Sequence, residues 1–456
     1  MESYAVRVVS TKFYFFYTLR NYTTCPAGFS TGFFIFRKPY NFAWHYLLYL
    51  HRIIWETARQ VHTAKPMYMS QRSVQFLRRQ YPFPGRYLNT VMEGSNVMKK
   101  YKVGILGATG MVGQRFVSLL DKHPWFDVTV LAASPRSAGK SYVEAVGNRW
   151  AMPTPIPENL TDKIVLDASA DLEKIASSVD FVLSAVDMKK DEIRAIEEEY
   201  ARHECPVVSN NSAHRTTPDV PMVIPEINND HLEVIPYFRK RLGLRRGLIA
   251  VKSNCSLQSY VPALHPLLGY GLDRVLTCTY QAISGAGKTF DTWPEMIDNV
   301  IPYISGEEEK SETEPLKIWG TVQNGVIVNA TAPSITAQCI RVPVTDGHLA
   351  AVFASFERKP SLDEIKNAWK EFRGRPQELA LPSAPKQFLH YFEEENYPQT
   401  ALHRDLEAGM AVSIGRLRPD SQYDVKFVCL SHNTLRGAAG GAILLAELLC
   451  AEGYID

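Results

Sequence analysis

The chain has 456 residues, of which 45% are apolar and 21% charged, which is typical of a globular protein with two or three well-buried domains. Its seven cysteines are scattered, with no Cys-x-x-Cys pair and no His-Glu-x-x-His spacing. This pattern argues against a disulfide framework and a zinc ribbon, and it predicts a reduced, intracellular protein without a metal.

Residues 1–97 differ in composition from the rest of the chain. The first hundred positions contain 14 Lys and Arg against 3 Asp and Glu, and 22 of the 50 aromatic residues. We expect a poorly ordered extension without catalytic role, or a non-native start, with Met92 or Met98 as the working one. The alternative is a transit peptide for an organelle; otherwise we expect a cytoplasmic protein.

A basic, aromatic segment of this kind can bind a membrane or nucleic acid. Its apolar runs do not reach the roughly 18 uninterrupted residues that a spanning helix needs, so we expect no membrane association. A basic, aromatic segment can also contact nucleic acid, but no recognised motif accompanies it, and we expect no nucleic-acid partner.

A strand, a glycine turn and a helix open the next segment. Lys102–Leu106 is a short apolar run, Gly107–Gly113 reads GATGMVG, and a helical pattern begins at Gln114. Glycines permit a tight turn and let a pyrophosphate approach the amides of a helix start. The spacing is a variant of the dinucleotide-binding fingerprint, so a plain strand-to-helix turn is the alternative.

The second predicted strand, Phe126–Ala133, indicates which dinucleotide is bound. NAD-specific sites usually place an acid at the end of this strand to hold the ribose 2′-hydroxyl. Here the strand is followed by Ser134, Arg136, Ser137 and Lys140, without an acid. Hydroxyls and cations favour a 2′-phosphate and therefore NADP. A solvated basic loop is the alternative, more for Lys140 than for Arg136.

The alternation of strands and helices then continues. Strands are predicted at Lys163–Leu166, Asp180–Ala185 and Cys205–Ser209, and a helix at Met188–Glu204. Ligands of open α/β sheets bind at the carboxyl ends of the strands, so Ser184 and residues 210–215 are expected to face a cofactor or substrate. The planar donor fork of Arg215 suits an oxyanion, with a surface ion pair as the alternative.

The stretch Val251–Gln258 is expected to deliver Cys255 to the first turn of a helix. Ser and Asn cap helix starts, whose free amides and dipole stabilise an anion. We therefore expect the thiol to lose its proton more readily than an ordinary cysteine and to act as a nucleophile. An inert, buried cysteine is the alternative.

The C-terminal half holds further candidates. A predicted strand, Arg274–Ala282, leads into a second glycine turn. Helical spacing places Glu307 and Lys310 on one side of a helix. Arg341 can clamp a carboxylate and His348 can act as a base, although a lone histidine is more often structural.

The last segment is rich in small residues. Asn433–Ala442 reads NTLRGAAGGA and precedes a predicted helix at Ile443–Glu452. So many small residues at a helix start predict close approach to another backbone or to a ligand, and tight helix packing alone is the alternative.

Together these stretches resemble the aspartate-semialdehyde dehydrogenase family, in its archaeal and fungal-like branch, over about residues 100–456. The motifs are GATGMVGQRF, NNSAHR, SNCS, YQAISGAG, GEEEK, RVPVTDGH and NTLRGAAGG, in the family's order. We expect an α/β fold, with a doubly wound NADP-binding (Rossmann) domain and an α+β catalytic and dimerisation domain whose sheet is mostly antiparallel. The expected boundaries are 98–252, completed by 430–456, for the first domain and 253–429 for the second.

The resemblance implies the reversible, NADPH-dependent reductive dephosphorylation of L-4-aspartyl phosphate to L-aspartate 4-semialdehyde, on the pathway to lysine, methionine, threonine and isoleucine. It implies a homodimer or homotetramer. Cys255 would form a thioacyl enzyme, His348 would be the acid and base, and Gln281 would orient the substrate. The implied substrate-binding residues are Arg341 for the α-carboxylate, Glu307 for the amino group, and Lys310, Arg215 and Asn254 for the phosphoryl group. The candidate cofactor-binding residues are Gly107, Thr109, Gly110, Met111, Val112, Gly113, Ser134, Arg136, Ser137, Ser184, Ser284, Gly285 and Asn433.

Two other functions fit parts of the pattern. One is a related reductase on the same scaffold that acts on another acyl phosphate or on malonyl-CoA. The other is a non-catalytic NADP-binding sensor, against which the presence of both Cys255 and His348 argues. His432 departs from the family pattern, since an acid is expected before Asn433.

Overall fold

The computed structural model describes Val6–Val9, Lys12–Phe15 and residues 100–456. Its contacts divide the chain into two compact units, Met1–Val97 and Met98–Asp456. In the first unit, strands β1 (Val6–Val9) and β2 (Lys12–Phe15) pair antiparallel. The prediction of a poorly ordered extension otherwise lies outside the described residues.

A seven-stranded parallel sheet forms the first half of the second unit. Its strands are β3 (Tyr101–Leu106), β4 (Phe126–Ala133), β5 (Leu166–Asp167), β6 (Phe181–Ser184), β7 (Val207–Ser209), β8 (Met222–Val223) and β9 (Ile249–Lys252). Their spatial order is β5-β4-β3-β6-β7-β9-β8, and all adjacent pairs are parallel. Helices cover both faces of such a sheet, which is why most of these strands are buried runs of apolar residues.

One predicted strand of this sheet is displaced along the chain. Lys163–Leu166 was expected to pair, but only Leu166–Asp167 joins β4. The amide of Val165 instead donates to the carbonyl of Lys140, and that of Tyr142 to the carbonyl of Lys163. The loop after β4 therefore takes the hydrogen bonds that the sheet would have used.

The principal helices of the second unit bury one face or their whole surface. They are α1 (Met111–Leu119), α2 (Leu172–Ser178), α3 (Lys190–Arg202), α4 (Ile235–Leu242), α5 (Leu257–Leu264), α6 (Glu307–Ile318), α7 (Leu362–Glu371) and α8 (Gly440–Ala451). Shorter helical stretches lie at Tyr142–Val146, Glu158–Thr161, Arg375–Glu378, Thr400–His403 and Leu406–Gly409. No helix in the described part of the chain is long and apolar enough to cross a membrane.

The C-terminal helix α8 belongs to the core of the parallel sheet. Its residues from Gly440 to Cys450 are all buried, as expected of a helix that is apolar on every side. Ile443 and Leu444 share one hydrophobic cluster with Ile105 of β3 and Leu183 of β6. The end of the chain thus returns to the sheet with which the unit begins.

A six-stranded mixed sheet forms the other half. Its strands are β10 (Leu272–Gln281), β13 (Ser334–Arg341), β14 (His348–Phe356), β15 (Leu389–Phe392), β16 (Val412–Pro419) and β17 (Val425–Ser431), in the order β13-β10-β14-β17-β16-β15. Three of its five adjacent pairs are antiparallel, which confirms the predicted, mostly antiparallel sheet. The hairpin β11 (Thr321–Gln323) and β12 (Val326–Val328) turns at Asn324 and Gly325, both with positive φ.

Helix α5 joins the two halves. All eight of its residues are buried, and Tyr260 lies in one apolar cluster with Val251 of β9 and Val352 of β14. Since α5 follows Cys255 in the chain, the cysteine is held where the two sheets meet.

Candidate active site

Cys255 lies in a tight turn between β9 and α5. The side-chain oxygen of Asn254 accepts hydrogen bonds from the amide of Ser256 at 2.8 Å and from its hydroxyl at 2.6 Å. This turn ends the strand and directs the chain into the helix. On the opposite side, a Cβ built on Gly437 would lie 2.9 Å from the Cβ of Cys255. The close approach predicted for the last glycine-rich segment is thus made to the cysteine.

His348 is the nearest titratable partner of the sulfur. Its Nε2 lies 3.5 Å from the Sγ of Cys255, and its Nδ1 accepts the amide of Ala282 at 3.1 Å. Burial and the cation of Arg341 lower the pKa of His348 to about 3, outweighing a backbone contact with Gly347 that favours the charged ring. The ring is therefore neutral at pH 7. Because an amide can only donate, the proton of the neutral ring is on Nε2, which points to the sulfur.

The resting state of the thiol differs from the prediction. Burial and the carboxylate of Glu307 raise the pKa of Cys255, while the cations of Lys252, Arg215 and Arg341 lower it less strongly. The expectation of a readily ionised thiol is wrong, because burial raises the pKa of the thiol and the Asn254 side chain already occupies an amide at the helix start. Ionisation of the thiol must be assisted.

Glu307, the first residue of α6, accepts hydrogen bonds from three of the predicted site residues. Its Oε1 accepts Lys310 Nζ at 2.7 Å and Asn254 Nδ2 at 3.0 Å. Its Oε2 accepts Gln281 Nε2 at 3.3 Å. Burial raises the pKa of Glu307, but Lys310 and the hydrogen bonds from Gln281 and Asn254 outweigh burial and hold it below its ordinary value. The carboxylate is therefore ionised and can receive an ammonium group.

The ion pair of Arg215 is not at the protein surface. Arg215 is buried, its Nη1 lies 3.0 Å from Glu314 Oε1, and its Nε donates to the carbonyl of Lys252 at 3.0 Å. The other oxygen of Glu314 accepts the amide of Asn254 at 2.7 Å. Glu314 thus fixes Arg215 beside the cysteine turn. The sequence prediction missed Glu314, although its position seven residues after Glu307 places both on one face of α6.

Arg341 and His348 leave room for the glycine turn after β10. The Nη1 of Arg341 donates to the carbonyl of Ala282 at 2.6 Å. A Cβ built on Gly285 would lie 3.0 Å from this Nη1 and 3.0 Å from Cε1 of His348. A side chain at this position would displace Arg341 or His348, so Gly285 lies directly against both residues.

The first glycine turn contains glycines that the fold requires and one that faces open space. Gly107 has φ +81°, and a Cβ on it would lie 2.2 Å from the carbonyl oxygen of Ala185; a Cβ on Gly113 would lie 2.1 Å from that of Gly107. The fold itself requires these two glycines. A Cβ on Gly110 would meet only the Gly107 oxygen, at 3.5 Å. Open space lies in front of Gly110, and Thr109, Met111 and Val112 beside it are partly exposed.

The loop after β4 exposes the side chain of Arg136. The amide of Ser137 donates to the carbonyl of Ser134 at 2.9 Å, closing a turn that leaves Ser134 and Arg136 exposed and Ser137 buried. Within residues 100–456, no ion pair engages Arg136. The side chain is free to bind a phosphate.

Ser184 is engaged in a buried network. Its hydroxyl donates to Glu197 Oε1 at 2.7 Å, and the same oxygen accepts Ser209 Oγ at 2.7 Å and Asn211 Nδ2 at 2.9 Å. Burial raises the pKa of Glu197. The network ties the ends of β6 and β7 to α3. The Ser184 hydroxyl donates here and has no second proton for a ligand.

Asn433 connects the last motif to the residue before His348. Its side-chain oxygen accepts the amide of Gly347 at 2.7 Å, and its Nδ2 donates to Ser284 Oγ at 2.8 Å. The neighbouring His432 has its Nε2 3.6 Å from Asp405 Oδ1. An acid therefore does lie beside this motif, supplied from elsewhere in the chain. Among the described residues, no group of His, Cys, Asp and Glu is arranged to hold a metal ion.

Two family models match the chain. The model described as "Semialdehyde dehydrogenase, NAD binding domain" matches residues 102–235. The model described as "Semialdehyde dehydrogenase, dimerisation domain" matches residues 264–436. The first range covers most of the parallel sheet and the second begins within α5.

Curated relatives and solved structures are similar over most of the chain. The aspartate-semialdehyde dehydrogenase of Methanothermobacter thermautotrophicus is 43% identical over 350 residues, 76% of this chain and 98% of that protein. That of Aspergillus fumigatus is 42% identical over 373 residues, 78% of this chain and 99% of that protein. The crystal structure of the Candida albicans aspartate semialdehyde dehydrogenase with NADP has a TM-score of 0.71 at 39% identity, covering 78% of this chain and 100% of that one.

Proposed function

The chain belongs to the aspartate-semialdehyde dehydrogenase family, and we propose that Cys255 and His348 are the catalytic pair of its reaction. That reaction is the reversible, NADPH-dependent reductive dephosphorylation of L-4-aspartyl phosphate to L-aspartate 4-semialdehyde, on the pathway to lysine, methionine, threonine and isoleucine. The single observation that carries the assignment is the sulfur-to-Nε2 distance of 3.5 Å inside a pocket of fixed charges.

The charges of the pocket match those of the substrate. Arg341 is buried next to the pair and suits the α-carboxylate, because a guanidinium binds a carboxylate through two parallel hydrogen bonds. The ionised Glu307 suits the α-ammonium group, which replaces part of its contact with Lys310. Arg215, Lys310 and Asn254 then remain for the phosphoryl group. Gln281, hydrogen-bonded to Glu307, orients the acyl group beside the sulfur.

The covalent steps follow from a thiol next to a neutral imidazole. The Cys255 thiol first loses its proton to solvent, because Nε2 of His348 already carries one. The thiolate then attacks the acyl carbon, a carbon–sulfur bond forms, and the carbon–oxygen bond to phosphate breaks and releases phosphate. NADPH, when bound, supplies the hydride that reduces the resulting thioester. The Nε2–H group of His348 donates a hydrogen bond to the oxygen that becomes negative during reduction. The carbon–sulfur bond then breaks, the carbonyl double bond re-forms, and the aldehyde leaves with the thiolate regenerated.

The first glycine turn and the loop after β4 fit NADP. Open space at Gly110 lets a pyrophosphate approach the amides at the start of α1. Arg136, exposed and without an ion pair among the described residues, and the Ser134 hydroxyl suit a 2′-phosphate. Ser137 in the same loop, and Ser284 and Gly285 in the glycine turn after β10, are proposed to complete the cofactor site. The Ser184 hydroxyl, bound to Glu197, positions the strand end and leaves the backbone there to face the cofactor.

The organisation of the protein is proposed in the same way. Residues 98–252 with 430–456 would bind the cofactor, and residues 253–429 would carry catalysis and subunit contacts. The dimerisation-domain match supports a homodimer, and a homotetramer built from such dimers is the alternative. We place the enzyme in the cytoplasm, with organellar targeting by residues 1–97 as the alternative; a fluorescent fusion with and without these residues distinguishes the two.

Turnover of the purified full chain tests the proposal. Aspartate semialdehyde, inorganic phosphate and NADP are supplied, and reduced nicotinamide is followed by absorbance. We expect reduction that depends on phosphate and is abolished in His348→Ala. Turnover with another aldehyde but not with this one would contradict the substrate assignment, and turnover without phosphate would contradict the acyl-phosphate chemistry.

A further inference from the structure

Lys252 is a buried lysine with almost no hydrogen-bonding partners. It ends β9 three residues before Cys255, its exposure is 1%, and its Nζ donates to the carbonyl of Ser253. Among the described residues, Lys252 makes neither an ion pair nor any other side-chain hydrogen bond. An ammonium group has three protons to donate, and a buried charge without a partner is strongly unfavourable.

Lys317 shows what a structural lysine looks like in the same protein. Its Nζ donates to three backbone carbonyls, those of Arg215, Thr217 and Val220, at 2.7–3.0 Å. All of its protons are therefore satisfied by the fold. Lys252 lacks this arrangement, so packing and backbone hydrogen bonds do not explain why a lysine is buried there.

The segment that leads into α8 packs against both Lys252 and the cysteine. A Cβ on Gly437 would lie 2.9 Å from the Cβ of Cys255, and a Cβ on Gly441 would lie 3.4 Å from Cε of Lys252. These two glycines are four residues apart in the chain, so the aliphatic end of Lys252 and the Cys255 side chain pack against the same short stretch of backbone.

We propose that Lys252 supplies the buried positive charge that stabilises the Cys255 thiolate when it forms. The proposal rests on the function assigned to Cys255 and extends it to a positioning residue. His348 does not fill this role, because its neutral ring already carries a proton on Nε2 and donates toward the sulfur. A thiolate needs a counter-charge in a desolvated site, and Lys252 needs an anion.

The electrostatic environment of Lys252 is consistent with this coupling. Burial and Arg215 lower the pKa of Lys252 to about 7, while Cys255 and Glu314 raise it. The charged or titratable groups that influence it are Arg215, Cys255, Glu314, Arg436 and His348. Glu314 already accepts hydrogen bonds from Arg215 and from the amide of Asn254. Within the described part of the chain, the Cys255 thiolate is hydrogen-bonded to no cation, so it is the anion that Lys252 can neutralise.

The pH dependence of Cys255 alkylation tests the proposal without turnover. Full-length protein is treated with iodoacetamide from pH 5 to 10, and modification of the Cys255 peptide is followed by mass spectrometry. Two unit charges about 6 to 10 Å apart, at an effective dielectric constant of about 20, shift a pKa by about one to two units. Lys252→Met is expected to raise the midpoint by that amount and to slow alkylation about 10- to 100-fold at pH 7.

Two further variants control the measurement. Lys252→Arg retains the charge and is expected to keep the wild-type midpoint or lower it. Lys163→Met removes a partly buried lysine that also donates to one carbonyl, that of Thr129, far along the chain from the site, and is expected to change nothing. A folded Lys252→Met protein with the wild-type midpoint would overturn the proposal and leave the assigned reaction intact. If the midpoint shifts in Lys252→Met but the wild-type protein shows no phosphate-dependent turnover, the role of Lys252 stands and the assigned reaction is wrong.

The coupling is also measurable from the lysine, in case Lys252→Met does not fold. Coupled titrations are reciprocal, so removing the thiolate must lower the pKa of the amine. Cys255→Ser keeps the volume of the site, and the ¹³Cε resonance of Lys252 in lysine-labelled protein reports the titration. We expect its midpoint to fall by about one unit or more. An unchanged midpoint contradicts the proposal.

Discussion

The Nε2 atom of His348 lies 3.5 Å from the sulfur of Cys255, although the two residues are 93 positions apart in the chain. Cys255 follows β9, the last strand of the parallel sheet in chain order, and His348 begins a central strand of the mixed sheet. The pair therefore exists only when both sheets are folded and joined through helix α5. This dependence leads us to expect that glycines packed against the pair also influence the chemistry.

Gly285 is expected to control catalysis through the positions of two side chains. In Gly285→Ala, the new Cβ would lie 3.0 Å from Arg341 and His348, so both must move by a few tenths of an ångström or more. We expect kcat/KM to fall about 10- to 100-fold, as small misplacements in active sites do. Gly269→Ala is the control, since a Cβ there meets nothing within 4 Å. Equal steady-state constants for both variants would contradict the assignment.

Gly110 and Gly113 are expected to respond differently to alanine. Gly113→Ala pushes a Cβ to 2.1 Å from a backbone oxygen and should lower the free energy of unfolding by about 1–3 kcal/mol. Gly110→Ala meets no such obstacle and should change stability by less than about 1 kcal/mol, while raising KM for NADP. Chemical denaturation and initial rates measure the two effects. A Gly110→Ala protein with normal KM would show that no pyrophosphate approaches this turn.

Arg136 is expected to discriminate between the two nicotinamide dinucleotides. A hydrogen bond to a charged group contributes about 1.5–3 kcal/mol, so Arg136→Ala should raise KM for NADP about 10- to 100-fold and leave KM for NAD unchanged. Lys140→Ala is the matched comparison, because it is an exposed cation on the same loop for which a solvated role is the alternative. Equal losses for NADP and NAD in Arg136→Ala would place the 2′-phosphate elsewhere.

Buried neutral histidines are expected to destabilise the protein in acid. Burial lowers the pKa of His265 to about 4, whereas an exposed histidine titrates near 6.5. In the unfolded chain His265 therefore binds a proton below about pH 6.5. In the folded chain it binds this proton only below about pH 4. Stability is complete above this window and falls as the pH drops through it. His348 and His432, with pKa values lowered to about 3 and about 4, act in the same direction.

Replacing one of these histidines measures its share. His265→Phe keeps an aromatic ring against Phe372, 5.7 Å away between ring centroids, and removes the titration. We expect the difference in urea midpoint between pH 7.5 and pH 4.5 to become smaller than in the wild type. An unchanged difference would mean that His265 does not contribute to the acid sensitivity.

The fold was predictable where local pattern and burial coincide. The strands Tyr101–Leu106 and Phe126–Ala133 are apolar runs next to glycine or polar turns, and the expected two-sheet architecture is confirmed. The strand expected at Lys163–Leu166 was wrong in register, because its hydrogen bonds are taken by residues 140–142. A sequence shows which residues favour a strand, but it does not show which neighbour competes for their amides.

The site was predictable by residue type and less so by charge state. The sequence indicated Cys255 and His348 as candidates, and the structure brings them together. The thiol pKa was predicted in the wrong direction, because desolvation by residues distant in sequence dominates the helix terminus. Glu314 and Lys252 were missed since their roles depend on burial, which a helix face or a strand end only suggests.

Trapping the acyl group on Cys255 tests the central claim most directly. The full chain is mixed with aspartate semialdehyde and NADP in the absence of phosphate, quenched with acid, digested, and analysed by mass spectrometry. We expect an added aspartyl acyl group on the peptide containing Cys255, lost when phosphate is supplied and absent from Cys255→Ser. An acyl group on another residue, or phosphate-dependent turnover that persists in Cys255→Ser, would contradict it.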